Sequence, residues 1–131
     1  MRIIITALLL LSYAPAAIGQ ERVDVTTVSR HYVAGEYNEV NPGVFVTVGE
    51  PTGVVGGVYY NSFARTSWVV GARYSWDLQD WLVFSVSGGV ATGYGNLKPI
   101  STQSFVFHAN KIGVSFFHFP GAFAIGLTIM L

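Results

Sequence analysis

The stretch "AFAIGLTIML", residues 122–131, decides the fold class of this chain. Its large apolar residues come at every second position, and the positions between them hold Ala, Gly, Thr and Met. Successive side chains of a β-strand point to opposite faces, so this stretch predicts a strand with one large apolar face and one face of mostly small side chains. The large apolar face consists of Phe123, Ile125, Leu127, Ile129 and Leu131.

The same pattern recurs upstream in "TSWVVGARYSW" (66–76) and "WLVFSVSGGVATG" (81–93). A soluble β-sandwich also alternates, but it turns its apolar face inward and shows charge to water. Here the opposite face is mostly Gly, Ser, Thr and Ala, which are too small to build a thick core. Segments of about ten residues, apolar on one side and small or polar on the other, are typical of a transmembrane β-barrel. Trp68, Trp76 and Trp81 lie near predicted strand ends, where such barrels carry aromatic girdles.

The pattern predicts an all-β, eight-stranded antiparallel transmembrane β-barrel. The predicted strands span residues 22–31, 42–49, 53–60, 67–76, 81–92, 101–108, 111–118 and 122–131. Bacterial barrels have short periplasmic turns and longer external loops. The short turns "GEPTG", "DLQD" and "HANK" therefore predict one end as periplasmic, with "YVAGEYNEVNP", "NSFART", "GYGNLKP" and "HFPG" at the external rim.

The N-terminus predicts export. Residues 1–19 combine Arg2, the apolar run "IIITALLLL" and the small-residue stretch "APAAIG", which is the pattern of a cleaved secretory signal peptide. A retained N-terminal anchor is the alternative, but the apolar run is short for a membrane-spanning helix. Residues 20–131 are then the barrel domain, in the bacterial outer membrane. A phage that alters the surface of its host is another source that the sequence leaves open.

The composition of the chain argues against several classes of function. The domain without Arg2 has six Lys and Arg against seven Asp and Glu, and no basic run indicates nucleic acid. The chain has no cysteine, hence neither disulfides nor thiolate metal ligands. Its three histidines are scattered and make no ligand set for a metal. No cofactor is expected.

One polar stretch stands out in this apolar chain: "HYVAGEYNEVNPG", residues 31–43. Any external loop must be polar because it meets water, and that reading suffices for Glu36, Asn38 and Glu39 taken singly. The same rim, however, also receives further polar residues, and loops on a rigid scaffold often carry function. These further residues are His31, Asn61, Ser62, Lys98 and His118.

The order of motifs resembles the PagP-type outer-membrane lipid A palmitoyltransferases. The family has a His before a "YNE" loop, an Asp-Ser pair at the second external loop, a Gly-rich fifth strand and an aromatic-Pro-Gly fourth loop. The resemblance covers about residues 30–131 and implies transfer of an acyl chain from a phospholipid to lipid A. It implies membrane lipids (phospholipid and lipopolysaccharide) and the barrel assembly machinery as partners, and a monomer. The matching stretches here are His31, "EYNEVNPG", "YYNSFARTSWVVGARY", "SGGVATGYGN" and "FFHFPGAFAIGL".

The resemblance implies His31, Asn61 and Ser62 as catalytic residues. A hydroxyl becomes a good nucleophile when a neighbouring base accepts its proton, and histidine does this near neutral pH. Asn61 stands where the family has aspartate, so it is expected to orient the imidazole without stabilising its charge. Either Glu36 or Glu39 then supplies that charge, or the protein is slow, altered or inactive. Replacing Asn61 with Asp is expected to raise acyl transfer.

Two other departures from the family pattern affect this interpretation. There is no room for the family's N-terminal amphipathic helix before the first strand. Arg73 falls in the inward phase of the fourth strand, where it either shortens an acyl pocket or pairs with an acid such as Asp24 and plugs the barrel. A non-catalytic lipid-binding or structural barrel therefore stays an alternative to the enzyme. A small pore ranks last, because eight strands leave no aqueous channel.

Overall fold

The computed structural model describes residues 21–131, so the predicted signal peptide lies outside the described part of the chain. Each strand is hydrogen-bonded to its sequence neighbours and β1 to β8, which closes an antiparallel barrel. The predicted eight-stranded, all-β fold is confirmed. The strands are β1 (Arg22–His31), β2 (Val40–Val48), β3 (Thr52–Tyr60), β4 (Thr66–Gln79), β5 (Leu82–Tyr94), β6 (Asn96–Ala109), β7 (Ile112–Phe119) and β8 (Ala122–Met130).

The two faces of the sheet have the predicted chemistry. On β8, Phe123 is 56% exposed on the outside of the barrel, whereas Thr128 is fully buried inside it. On β4, Trp68 and Tyr74 face outward, and Ser67 and Arg73 face inward. The outer surface is therefore apolar, as in a membrane barrel, whereas the interior combines buried polar and charged side chains with apolar ones such as Val106 and Phe117. Among residues 21–131 there is no helix long and apolar enough to cross a membrane.

The two ends of the barrel differ. We call the end with the longest connections, residues 32–39 and 61–65, the loop end. The opposite end, with residues 49–51, 80–81 and 110–111, is the turn end. Trp68 lies toward the loop end, whereas Trp76 packs on Tyr74 near the turn end, with 4.5 Å between the ring centroids. Aromatic side chains thus flank the apolar band on both sides, as the girdles of membrane barrels do.

The prediction of a third external loop at residues 93–99 was wrong. β5 and β6 continue through it and pair as far as Tyr94 and Asn96, so that only Gly95 separates the two strands. Gly93 and Gly95 both have positive φ, which glycine adopts without a Cβ penalty, and this allows so tight a reversal. Lys98, expected in a loop, therefore lies on a strand.

Candidate functional site

The loop-end half of the barrel holds a cavity of about 300 Å³ that opens at the rim. Its walls are mostly apolar, and the hydroxyl groups of Thr26 and Tyr59 add polar points. Ligand sites typically measure about 300–1,000 Å³, so this cavity suits a small ligand or a short chain. The apolar wall includes Phe45, Val55, Val69, Ile100 and Phe117.

A β-bulge in β1 aims His31 into this cavity. The register with both neighbours shifts between Thr26 and Val28. Before the shift the inward residues are even-numbered, as with Asp24, and after it they are odd-numbered, so Ser29 and His31 line the cavity. Bulges insert one residue and re-aim the side chains that follow. Without this one, the imidazole would face outward.

His31 meets Ser62 at the cavity mouth. Its Nε2 lies 2.8 Å from the Ser62 hydroxyl oxygen, which is hydrogen-bond distance. The two residues are far apart in the sequence, since His31 is the last residue of β1 and Ser62 lies in the turn after β3. The structure therefore brings together two of the three residues predicted for catalysis. A hydroxyl bonded to an imidazole nitrogen can pass its proton to that nitrogen.

Backbone contacts hold the two segments in register. The Asn38 N–H donates to the Ser62 carbonyl oxygen at 2.9 Å, which ties the long loop to the turn that carries the hydroxyl. The Ser29 N–H donates to the Glu39 carbonyl oxygen, also at 2.9 Å. These bonds fix where the loop leaves and re-enters the sheet. The histidine and the serine thus lie on anchored backbone.

The other imidazole nitrogen of His31 is buried and, within residues 21–131, has no hydrogen-bond partner. The ring instead stacks on Tyr37, with centroids 4.2 Å apart and planes 13° from parallel. In a catalytic triad a carboxylate occupies this Nδ1 position and stabilises the imidazolium. Here the histidine and serine form a dyad.

Neither predicted acid supplies the missing charge. Glu39 accepts a hydrogen bond from the backbone N–H of His31 at 3.2 Å and pairs with Arg30 at 3.1 Å. Glu36 is exposed in the loop, and neither carboxylate hydrogen-bonds the imidazole. Glu39 therefore bonds the backbone of the loop, and the ring has no anionic partner within the part of the chain that the structure describes.

Asn61 does not reach His31, contrary to the expectation that it orients the ring. Its side-chain NH₂ donates to the Ser67 hydroxyl at 2.9 Å and to the Gly93 carbonyl oxygen at 3.0 Å. Its side-chain oxygen accepts from the backbone N–H groups of Phe63 and Arg65. The residue is fully buried. Asn61 thus holds the turn that presents Ser62 and has no contact with the imidazole.

Arg73 forms the floor of the cavity. It faces inward, as predicted, and its Nη1 donates to the Asp24 carboxylate at 2.8 Å and to the Thr47 hydroxyl at 2.7 Å. Arg22 holds the other oxygen of Asp24 at 2.8 Å and donates to the Ser85 hydroxyl at 3.0 Å. The predicted pairing of Arg73 with Asp24 is confirmed. Together these side chains plug the turn-end half of the barrel.

The remaining rim residues, Lys98 and His118, make no hydrogen bond to His31 or Ser62. The Lys98 ammonium sits over the Tyr94 ring, 4.7 Å from its centroid, at the cavity mouth. His118 bonds the Tyr32 hydroxyl at 2.9 Å in a separate cluster. In the described part of the chain, no three His, Asp or Glu side chains are grouped so as to hold a metal ion.

Sequence reasoning missed three features of the site. Arg22 was not recognised as part of the plug, although it shares the inward phase of Asp24 two residues away. The bulge had a signal too, because the apolar positions of β1 switch from Val23 and Val25 to Val28. The stacking of Tyr37 on the imidazole had no signal in the sequence, because it depends on the conformation of the loop.

Comparisons with known proteins identify the fold alone. No protein-family model and no curated protein matches the sequence. A solved structure described as "De novo design of transmembrane beta-barrels" is similar with a TM-score of 0.69 and 15% sequence identity, and the alignment covers 88% of this chain and 98% of that one. The protein therefore has the fold of a transmembrane β-barrel.

Proposed function

We propose that this protein is an outer-membrane lipid acyltransferase that moves an acyl chain from a phospholipid to lipid A. The observation that carries the proposal is the bond between His31 Nε2 and the Ser62 hydroxyl at the mouth of a mostly apolar cavity. The resemblance of the motif order to the PagP-type palmitoyltransferases supports the same chemistry. The transmembrane barrel fold is compatible with the outer membrane.

The dyad suggests a two-step transfer. Ser62 Oγ attacks the ester carbonyl carbon of the donor lipid, and His31 Nε2 takes the hydroxyl proton. The bond to the donor's alcohol oxygen breaks, and that oxygen leaves with the proton from the imidazole. A hydroxyl of the acceptor then gives its proton to His31 and attacks the acyl-serine ester. Ser62 recovers a proton from the imidazolium when the acyl group departs.

The cavity gives the acyl chain a place next to the reacting atoms. His31 and Ser62 both line it, and from the mouth it runs down to Arg73. Holding the chain there would fix the carbonyl against Ser62, and such positioning supplies much of an enzyme's rate. Its small volume and charged floor favour a chain shorter than the family's palmitoyl group.

Lipid A mass spectrometry on cells that express the protein tests the proposal. Wild type should add an acyl chain to lipid A, whereas His31→Ala and Ser62→Ala should each abolish the addition. His118→Ala is the matched control, since that histidine lies on the rim outside the cavity, and it should keep activity. Each variant must show the slower gel migration of an unheated barrel, which confirms that it folds.

Intact lipid modification in the folded His31→Ala variant would refute the catalytic assignment. Absence of modification by wild type would instead favour a second function, a lipid-binding or structural barrel without catalysis. The observation behind that alternative is the Nδ1 of His31, which has no partner among residues 21–131, so that no carboxylate in this part of the chain stabilises the imidazolium. The experiment therefore separates the two functions.

A further inference from the structure

The floor of the cavity carries a guanidinium with unused hydrogen-bonding capacity. Arg73 is only 5% exposed, and its Nη1 makes both bonds to the plug. Its Nε is buried and, among the described residues, has no hydrogen-bond partner. A buried donor without a partner is destabilising. Arg73 also lines the cavity, so an anion that enters from the mouth would meet this guanidinium at the floor.

The charge balance of the plug points to the same kind of ligand. Arg22 and Arg73 share the single carboxylate of Asp24, so these three side chains together carry one excess positive charge. Two further acids, Glu50 and Asp77, line a separate small cavity with Arg22, so they lie on the turn-end side of the plug, away from the loop end. The side of the plug that faces the loop end therefore favours an anion.

The space above Arg73 suits an apolar chain. The cavity walls between the floor and the mouth are largely aliphatic and aromatic, and the inward glycines Gly71 and Gly89 leave its centre open. Neither glycine can be replaced by a residue with a side chain, because a Cβ at either position would clash with the backbone of the neighbouring strand. A ligand with one anionic end and one apolar chain matches both the floor and the walls.

We propose that the cavity binds a single-chain monocarboxylate, a short or medium-chain fatty acid, with its carboxylate on Arg73 and its chain directed to the loop end. This orientation is opposite to that of an acyl donor, whose ester must lie at Ser62. The binding site does not depend on the acyltransferase function. It would equally serve a non-catalytic lipid-binding barrel.

Binding of octanoate to the purified, refolded barrel in nonionic detergent tests the proposal. Octanoate isotope-labelled at its carboxyl carbon should show a bound NMR signal, and Arg73→Gln should weaken its binding roughly 10- to 100-fold, as expected for losing hydrogen bonds to a charged group. Octanol, which has the same chain and no charge, should bind wild type more weakly. Arg65→Gln is the matched control, because that arginine is exposed and outside the cavity.

A second variant covers the case in which Arg73→Gln does not fold. Ser87 lies opposite Arg73 in the β4–β5 ladder and lines the cavity, so Ser87→Leu fills the space beside the guanidinium and leaves its ion pair intact. It should block octanoate binding. Equal binding of octanoate and octanol, or undiminished binding in both variants, would overturn the proposal. So would a loss of affinity in Lys98→Gln in place of Arg73→Gln, since it would put the carboxylate at the mouth.

Acyl transfer plays no part in this measurement. If octanoate fails to bind while lipid A is still acylated, only the carboxylate site is wrong. If octanoate binds and lipid A is unchanged, the acyltransferase function is wrong and the binding site stands.

Discussion

The two halves of the barrel interior differ in how their space is occupied. The turn-end half is occupied by charged and hydroxyl side chains, in which Asp24 joins Arg22, Arg73 and the hydroxyl of Thr128, beside a small apolar cluster of Val83, Val106 and Met130. The loop-end half is left open, with a dyad at its mouth and apolar walls. An eight-stranded barrel is just wide enough for side chains or one small ligand, and this chain places side chains in one half and leaves space in the other.

The difference between the two halves follows from their inward-facing side chains. In the turn-end half, the two arginines and Asp24 are tolerable as buried charges because each has a partner of opposite charge and hydroxyl groups add further hydrogen bonds. In the loop-end half, glycines replace large inward residues, and the cavity remains. We therefore expect substitutions in the plug to affect stability, and substitutions around the cavity to affect ligands more than folding.

The largest effect is expected from Asp24→Asn. Asp24 is fully buried and is the carboxylate that both plug arginines contact. Removing one partner of a buried ion pair typically costs about 3–5 kcal/mol, because the remaining charge stays buried and uncompensated. Urea titration of the refolded barrel should show this loss in the free energy of unfolding. The exposed Asp80→Asn is the matched control, and an equal midpoint for both would contradict the role of the plug.

A smaller effect is expected from Asn61→Asp, and the structure reverses what the sequence suggested for it. A carboxylate cannot donate to Ser67 or to the Gly93 carbonyl oxygen, and one of its oxygens would face that carbonyl. The loss should be about 1–3 kcal/mol in the free energy of unfolding. Lipid A acylation should not rise, because the new charge does not reach His31.

The exposed Asn96→Asp serves as the control for this substitution, with the same chemical change on the surface. An increase in acylation with unchanged stability would show that residue 61 contacts the imidazole during catalysis. It would restore the interpretation drawn from the family motif.

Features that depend on neighbouring residues in the sequence could be predicted, whereas contacts between distant strands could not. Alternation along a strand is local, so the outward faces of β4 and β8 and the inward position of Arg73 were predicted correctly. Short turns alternate with longer loops along the chain, and this alternation correctly predicted that His31 and Ser62 lie at the same end of the barrel. The contact of Asn61 was beyond prediction, because its partners Ser67 and Gly93 come from strands whose register only the folded barrel defines. The reversal at Gly95 was missed because polar residues there resembled a loop.

The smallest effects come from removing one hydroxyl in each half of the interior. Ser85 is buried in the plug, where it accepts a hydrogen bond from the Arg22 guanidinium at 3.0 Å. Tyr59 lines the cavity, and its hydroxyl lies 2.7 Å from that of Tyr94. Each hydroxyl therefore takes part in a hydrogen bond, but only Ser85 has a charged partner.

Ser85→Ala should lower the free energy of unfolding by about 1–2 kcal/mol, because it leaves a buried charged donor unpaired when Arg22 Nη2 already has no partner among the described residues. Tyr59→Phe should cost less than about 1 kcal/mol, since the Tyr94 hydroxyl can turn to solvent in the open cavity. Urea titrations of the two variants under identical conditions measure the difference. Equal losses would mean that the loop-end half is as tightly bonded as the plug, and the division of the interior into a packed half and an open half would fail.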